Sequence, residues 1–109
     1  MESEQAVLLR VFVGEDKHHE GRPLYETIAL KAREMHLMGA TVLHGRLGFG
    51  RSTRIHTTRA LMSEDLPLVI EIVDKAERID AFMPVLAGMA GIALITRERV
   101  EMLRETPLS

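Results

Sequence analysis

Two segments of this chain are apolar on both faces of an extended strand. In residues 6–13, Val7, Leu9, Val11 and Val13 point one way, and Leu8, Arg10 and Phe12 the other. In residues 67–73, Leu68, Ile70 and Ile72 share one face, and Val69, Glu71 and Val73 the opposite one. An antiparallel sheet with one face in water alternates apolar with polar residues instead. Any fold built on these segments must therefore cover both faces of its sheet. Arg10 and Glu71 interrupt the second face at mid-strand, and on neighbouring strands they pair across the ladder.

The rest of the chain supplies cover for one face. After a polar loop at 15–21, Pro23 opens a helix in which Leu24, Ile28, Ala32 and Met35 form an apolar stripe, with Gly39 as the residue past its C-terminus. Residues 40–47 read as a second strand, interrupted by Gly45. Asp74, with Glu77 three positions later, marks the start of a second helix through Ile79, Phe82, Met83, Leu86 and Ala90. Pro84 is expected to kink that helix, Gly91 to end it, and residues 92–96, extending towards 102, to form the last strand. The order is strand–helix–strand twice. This is an α+β chain with the ferredoxin-like βαββαβ sandwich, both helices on one side of a four-stranded antiparallel sheet. With 109 residues it makes a single domain, 1–109. The second sheet face is left for another copy of the chain, so a homo-oligomer is expected.

Several function classes are excluded at this stage. The chain contains no cysteine, which removes disulfide frameworks, thiolate metal sites and a cysteine nucleophile. Its start is acidic without an apolar run, so no signal peptide is expected, and the uncharged stretch 81–96 is broken by Pro84, Gly88 and Gly91 and is too short to span a bilayer. A cytoplasmic protein without membrane insertion is the expectation. A net charge of -2 and only three Phe and one Tyr argue against nucleic acid as a partner. The loop histidines lack helical ligand spacing, so no metal site is expected. No Ser/His/Asp order stands out, and no enzyme activity is expected.

Charge distribution locates the candidate site. Residues 35–63 contain no acidic side chain but carry Arg46, Arg51, Arg54 and Arg59, with His36, His44 and His56. Such a cluster repels itself unless an anion or a partner's carboxylates neutralise it. Residues 48–66 show no clear secondary structure and form a long loop of the kind that is usually functional. Gly48, Phe49 and Gly50 let the backbone approach a ligand, Arg51 and Arg54 offer guanidinium forks, and Ser52, Thr53, Thr57 and Thr58 add hydroxyls. Together these describe an anion site, most simply for phosphate. A solvated hairpin tip has the same composition, and the order of glycines is not that of a P-loop.

The motifs resemble the nitrogen regulatory PII superfamily. Gly39-Ala40-Thr41-Val42, Gly48-Phe49-Gly50-Arg51 and Leu66-Pro67-Leu68-Val69-Ile70-Glu71-Ile72-Val73 are similar to the PII strand, the turn into its T-loop, and the strand that follows. Ile55-His56-Thr57 and Met62-Ser63-Glu64-Asp65-Leu66-Pro67 are similar to the PII-like domain-of-unknown-function family 190. The resemblance implies a PII-like subunit, a homotrimer, and inter-subunit clefts that bind ATP, ADP or AMP with no obligatory cofactor. It implies ligand contacts from Thr41, Gly48, Phe49, Gly50, Arg51, Arg54 and His56, and a loop (Ser52, Thr53, Thr57, Thr58, Arg59) presented to a target protein. Three departures matter. The second phosphate turn of PII, Thr-Gly-x-x-Gly-Asp-Gly-Lys, here reads Ala87-Gly88-Met89-Ala90-Gly91-Ile92-Ala93, and the metal-binding glutamine is Ser52. The modifiable T-loop tyrosine is absent, Tyr25 being the only tyrosine.

Overall fold

This computed structural model describes residues 1–45, 47–48, 56–57 and 67–105, with the backbone alone at 47–48 and 56–57. The element order is β1 (Glu2–Gly14), β2 (His18–His19), β3 (Arg22–Pro23), α1 (Leu24–Glu34), β4 (Thr41–His44), β5 (Leu47–Gly48), β6 (His56–Thr57), β7 (Pro67–Asp74), α2 (Ala76–Ala87) and β8 (Ile92–Arg104). The main sheet is antiparallel with strand order β4-β7-β1-β8, the ferredoxin-like arrangement expected above.

One sheet face packs under both helices. Val7, Leu9, Val11 and Val13 from β1 and Leu68, Ile70 and Ile72 from β7 meet Leu24, Ile28 and Ala32 of α1 and Ile79, Phe82 and Leu86 of α2. Every residue assigned to the inner face is buried, and the alternation in both central strands is as read. On the other face Leu8, Phe12, Val69 and Val73 are half-buried, while Leu43 and Leu94 at the two edges are 46% and 54% exposed. At its centre, Arg10 lies opposite Glu71 in the β1–β7 register, and its Nε donates to Glu71 Oε2 at 2.9 Å. Arg10 Nη1 reaches Glu98 of β8 at 3.1 Å.

Helix ends depart from the sequence reading, each for a local reason. Pro23 is the N-cap of α1, one position before the first helical turn, because it is held in the β3 strand. The helix stops at Glu34, well before Gly39. His36 takes the left-handed conformation (φ 58), His36 N donates to Arg33 O, and Leu37 N donates to Ala32 O, both at 3.0 Å. That is a Schellman closure with histidine at the usual glycine position, secured by burial of Leu37. Lys75, not Asp74, is the N-cap of α2, and it makes no side-chain cap bond. Asp74 stays in β7 because its carboxylate is used elsewhere: Oδ1 accepts from Lys75 N at 2.7 Å, and Oδ2 from Met38 N at 3.0 Å. Helix α2 runs through Pro84 as one element. Pro84 cannot donate to the Asp80 carbonyl, and both residues are exposed. The helix ends at Ala87 with Gly88 as C-cap, so Ala90 lies beyond it. The turn before β8 holds Gly91 at φ 99.

Strands β1 and β8 are longer than their apolar patterns, because paired backbones, not side chains, carry the extension. β1 begins at Glu2 and β8 continues to Arg104, and residues 2–6 and 100–104 pair only with each other. Among the described residues, no helix is long and apolar enough to cross a membrane.

Candidate functional site

The site begins where β4 ends. Gly45 N donates to Pro67 O at 2.7 Å, so the chain leaves the sheet at Gly45 and returns to it at Pro67 through a single closed neck. A Cβ on Gly45 would stand 2.6 Å from Pro67 Cγ and 3.2 Å from Pro67 O, so this close approach requires glycine. The glycine that weakens the strand pattern at this point is the one that forms the neck. Beyond it, β5 pairs with β6, bringing Leu47 opposite Thr57 and Gly48 opposite His56. The segment read as lacking secondary structure thus contains a short ladder that joins two of the expected ligand residues. Two-residue strands of this size carry no periodic signal, which is why the pattern missed them.

Thr41 is exposed on β4, opposite Glu71, on the same sheet face as the Arg10 pair. Phe49, Gly50, Arg51, Ser52, Thr53, Arg54, Thr58 and Arg59 lie outside the described residues. The neck has further polar neighbours. Gly14 pairs with Pro67 across the ladder, and just beyond it Glu15 Oε1 stands 3.9 Å from His44 Nε2. Asp16 folds back over Gly14, and its Oδ1 is buried with no partner among the described residues. His18 Nδ1 donates to the Asp16 carbonyl at 2.8 Å, and Leu24 N donates to Lys17 O at 2.8 Å, tying this segment to the start of α1.

Three charged groups at the sheet centre form the strongest electrostatic feature. The hydrogen bond it donates to Glu71, with the charge of Glu98 beside it, holds the Arg10 guanidinium above its ordinary value against the opposing effect of desolvation. Two of the arginines of β8 are engaged within the chain: Arg97 Nη2 donates to Asp80 Oδ1 at 2.6 Å, and Arg104 pairs with Glu4. Arg99 is exposed. Where PII has its second phosphate turn, the helix-to-strand connection exposes Ala87, Gly88, Ala90, Gly91 and Ala93 and buries Met89. No charged side chain is offered there. Among the described residues no group of His, Cys, Asp and Glu is placed to hold a metal ion.

The polar loop expected at 15–21 holds β2 and the turn of the β2–β3 hairpin, closed by Glu20 (φ 51) and Gly21 (φ 80). Two consecutive left-handed residues are the signature of a tight hairpin turn, and a glycine at the second was the available signal. This hairpin and α1 border an open groove of about 650 Å³ lined in part by His19, Arg22, Thr27, Leu30 and Arg33, separate from the neck.

Comparison with known proteins agrees with this architecture. Residues 6–102 match the DUF190 family, described as Uncharacterized ACR, COG1993. A UPF0166 protein of Aquifex aeolicus (strain VF5) is 37% identical over 97 residues, covering 88% of this chain and 91% of the relative. A UPF0166 protein of Methanocaldococcus jannaschii is 30% identical over 95 residues, covering 84% and 88%. Among solved structures, a Thermus thermophilus protein named for its likeness to PII signalling proteins superposes with TM-score 0.70 at 14% identity, covering 94% of each chain. CPII from Thiomonas intermedia K12, a nitrogen regulatory PII-like protein solved with ADP, AMP and bicarbonate, superposes with TM-score 0.64 at 13% identity, covering 94% of this chain and 92% of CPII. With the ferredoxin-like sheet, the closed neck and these likenesses together, the chain belongs to the DUF190 family and has the PII-like fold.

Proposed function

We propose that this chain is a homotrimeric PII-like signalling subunit that binds an adenine nucleotide, or a similar small anion, in clefts between copies. Thr41, Gly48, Phe49, Gly50, Arg51, Arg54 and His56 contact the ligand, and Ser52, Thr53, Thr57, Thr58 and Arg59 are presented to a target protein. The observation that carries the reading is the closed neck. Gly45 and Pro67 hold the base of a loop that is basic and without acidic residues as far as Ser63, at the edge of an uncovered apolar sheet face. A second copy covering that face brings its own surface to the neck, and the cleft so formed is lined by guanidinium groups and glycine backbone, which suit phosphate. The adenine nucleotides in CPII, which has the same fold, make this ligand class the first to test.

A thermal-shift panel of ATP, ADP, AMP and cyclic nucleotides provides the test. A ligand present at about 100 times its Kd adds about 2.7 kcal/mol to the folded state and raises the melting temperature accordingly. Absence of a shift with every nucleotide would overturn the ligand reading. The uncharged turn at 87–93 favours one alternative in that event, a ligand-free trimeric module whose basic loop binds an acidic protein surface.

A further inference from the structure

Four strand ends meet where the neck leaves the sheet: His44 of β4, Pro67 of β7, Gly14 of β1 and Ile92 of β8. Lys17 lies across this end. A Cβ on Gly91 would stand 3.5 Å from Lys17 Cβ and 3.6 Å from its Cγ, and one on Gly14 would stand 3.7 Å from Cγ and 3.9 Å from Cε. The stem therefore runs from the turn before β8 towards Gly14, and it carries the ammonium beside the residue that pairs with Pro67 of the neck. The backbone is fixed on both sides. Lys17 N donates to Gly14 O at 3.2 Å, and Lys17 O accepts from Leu24 N at 2.8 Å. The ammonium itself is left unsatisfied. Its ion-pair partner among the described residues, Asp16 Oδ2, stands 4.0 Å away, beyond hydrogen-bond distance, and the side chain is 52% exposed. The carboxylates of this segment face other groups: Asp16 Oδ1 is buried against Gly14, and Glu15 stands 3.9 Å from His44. The turn that the stem crosses has no charge of its own, and the amides of Ala90 and Gly91 have no backbone acceptor among the described residues.

We infer that Lys17 is a further residue of the nucleotide site proposed above, on which this reading rests, and that its ammonium donates to a phosphate oxygen of a ligand seated at the neck. An ammonium has three donors, and here none of them is used among the described residues. A stem already packed on two glycine backbones has less freedom to lose than a lysine extended in water. The segment sets one cation against two carboxylates, so it does not draw anions by net charge. It offers one placed donor group on the side that the carboxylates do not occupy. A purely structural role is the competing account. The last turn of α2 holds no basic side chain, and a cation lying against that helix end offsets its dipole. The direction of the stem opposes this account, because Cβ and Cγ lie against Gly91 while Cε lies against Gly14, away from the helix end.

Calorimetric titration of the full chain with ADP tests it. Lys17→Gln keeps most of the stem and removes the ammonium, while Lys17→Arg keeps a charge at the same place. Lys17→Gln should bind ADP about ten-fold more weakly than wild type, and Lys17→Arg within about three-fold of it. Without ligand, all three chains should melt at the same temperature, because the side chain is half exposed. Wild-type affinity in Lys17→Gln overturns the role of Lys17 and leaves the nucleotide reading standing. A loss that Lys17→Arg shares in full, or that comes with a lower melting temperature of the ligand-free chain, makes the lysine structural and overturns that role as well. A wild-type chain that binds none of ADP, ATP and AMP overturns the nucleotide reading itself, and the role of Lys17 with it.

Discussion

Asp74 is 1% exposed, and its carboxylate accepts backbone N–H groups on the two sides of the α2 start, Lys75 on one side and Met38 after α1 on the other. Arg78 stands 4.0 Å from it and donates to the His36 carbonyl at 2.5 Å, closing the junction between the two helices. Removing the carboxylate leaves two part-buried donors without this partner, each costing about 1–3 kcal/mol. Asp74→Ala is therefore expected to lower unfolding free energy by about 2–4 kcal/mol in urea titration, and Asp74→Asn, which keeps one acceptor, by roughly half that. Gly45 governs the neck in a different way. A methyl group there meets the stiff ring and the carbonyl of Pro67, so Gly45→Ala should cost about 1–3 kcal/mol and open the base of the loop. Hydrogen exchange at the Gly45 amide, now bonded to Pro67, would report that opening directly, and unchanged protection in the variant would show that the neck accommodates the methyl.

At the scale of elements, Pro84 is the clearest conflict between local preference and the observed structure. It removes the donor for the Asp80 carbonyl, yet α2 continues through it on an exposed face of the helix, held down by the buried stripe Ile79, Phe82 and Leu86. Pro84→Ala restores the bond on an exposed surface and should stabilise the chain by about 1–3 kcal/mol, raising the melting temperature by several degrees. No rise on calorimetry would mean that the helix is already strained elsewhere. The same comparison shows what a sequence makes legible. The two central strands, the inner-face residues and the Arg10–Glu71 pair follow from a period of two sustained over seven or more positions, a signal that few alternatives share. Helix ends did not follow, because they depend on tertiary demands: Asp74 looks like a cap but is claimed by Met38, and His36 takes the role expected of Gly39 because Leu37 is buried behind it. The β5–β6 ladder and the β2–β3 hairpin consist of two-residue strands, below the length at which alternation has meaning. Of the expected ligand residues, the ladder joins Gly48 to His56 and β4 holds Thr41, while those contributing charge, Arg51 and Arg54, lie outside the described residues.

For the whole molecule, assembly and ligand binding should be linked, because the proposed cleft is completed by a second copy. Phe12 is half-buried on the open face, opposite Val69 and Leu94 across its two ladders. Phe12→Asp places a carboxylate where a second copy would desolvate it without a partner, a cost of several kcal/mol that disfavours association. In the monomer the same carboxylate remains within reach of water, so light scattering should find a folded single chain. If the ligand site lies between copies, this variant should also lose nucleotide affinity, although the loop is untouched. Arg51→Ala makes the complementary case. Arg51 is the guanidinium that directly follows the Gly48-Phe49-Gly50 motif assigned to the ligand, and a residue next to such a motif has little freedom to lose on binding. Arg51→Ala should therefore weaken nucleotide binding by about 1.5–3 kcal/mol in calorimetric titration, with oligomer and melting temperature unchanged. Arg59→Ala, at a position assigned to the target protein and not to the ligand, should cost markedly less, and Arg51→Lys should recover only part of the loss, since an ammonium keeps the charge without the bidentate fork. Equal losses at 51 and 59 would mean diffuse attraction by a basic loop. A Phe12→Asp monomer that still binds nucleotide at full strength would place the whole site within one chain.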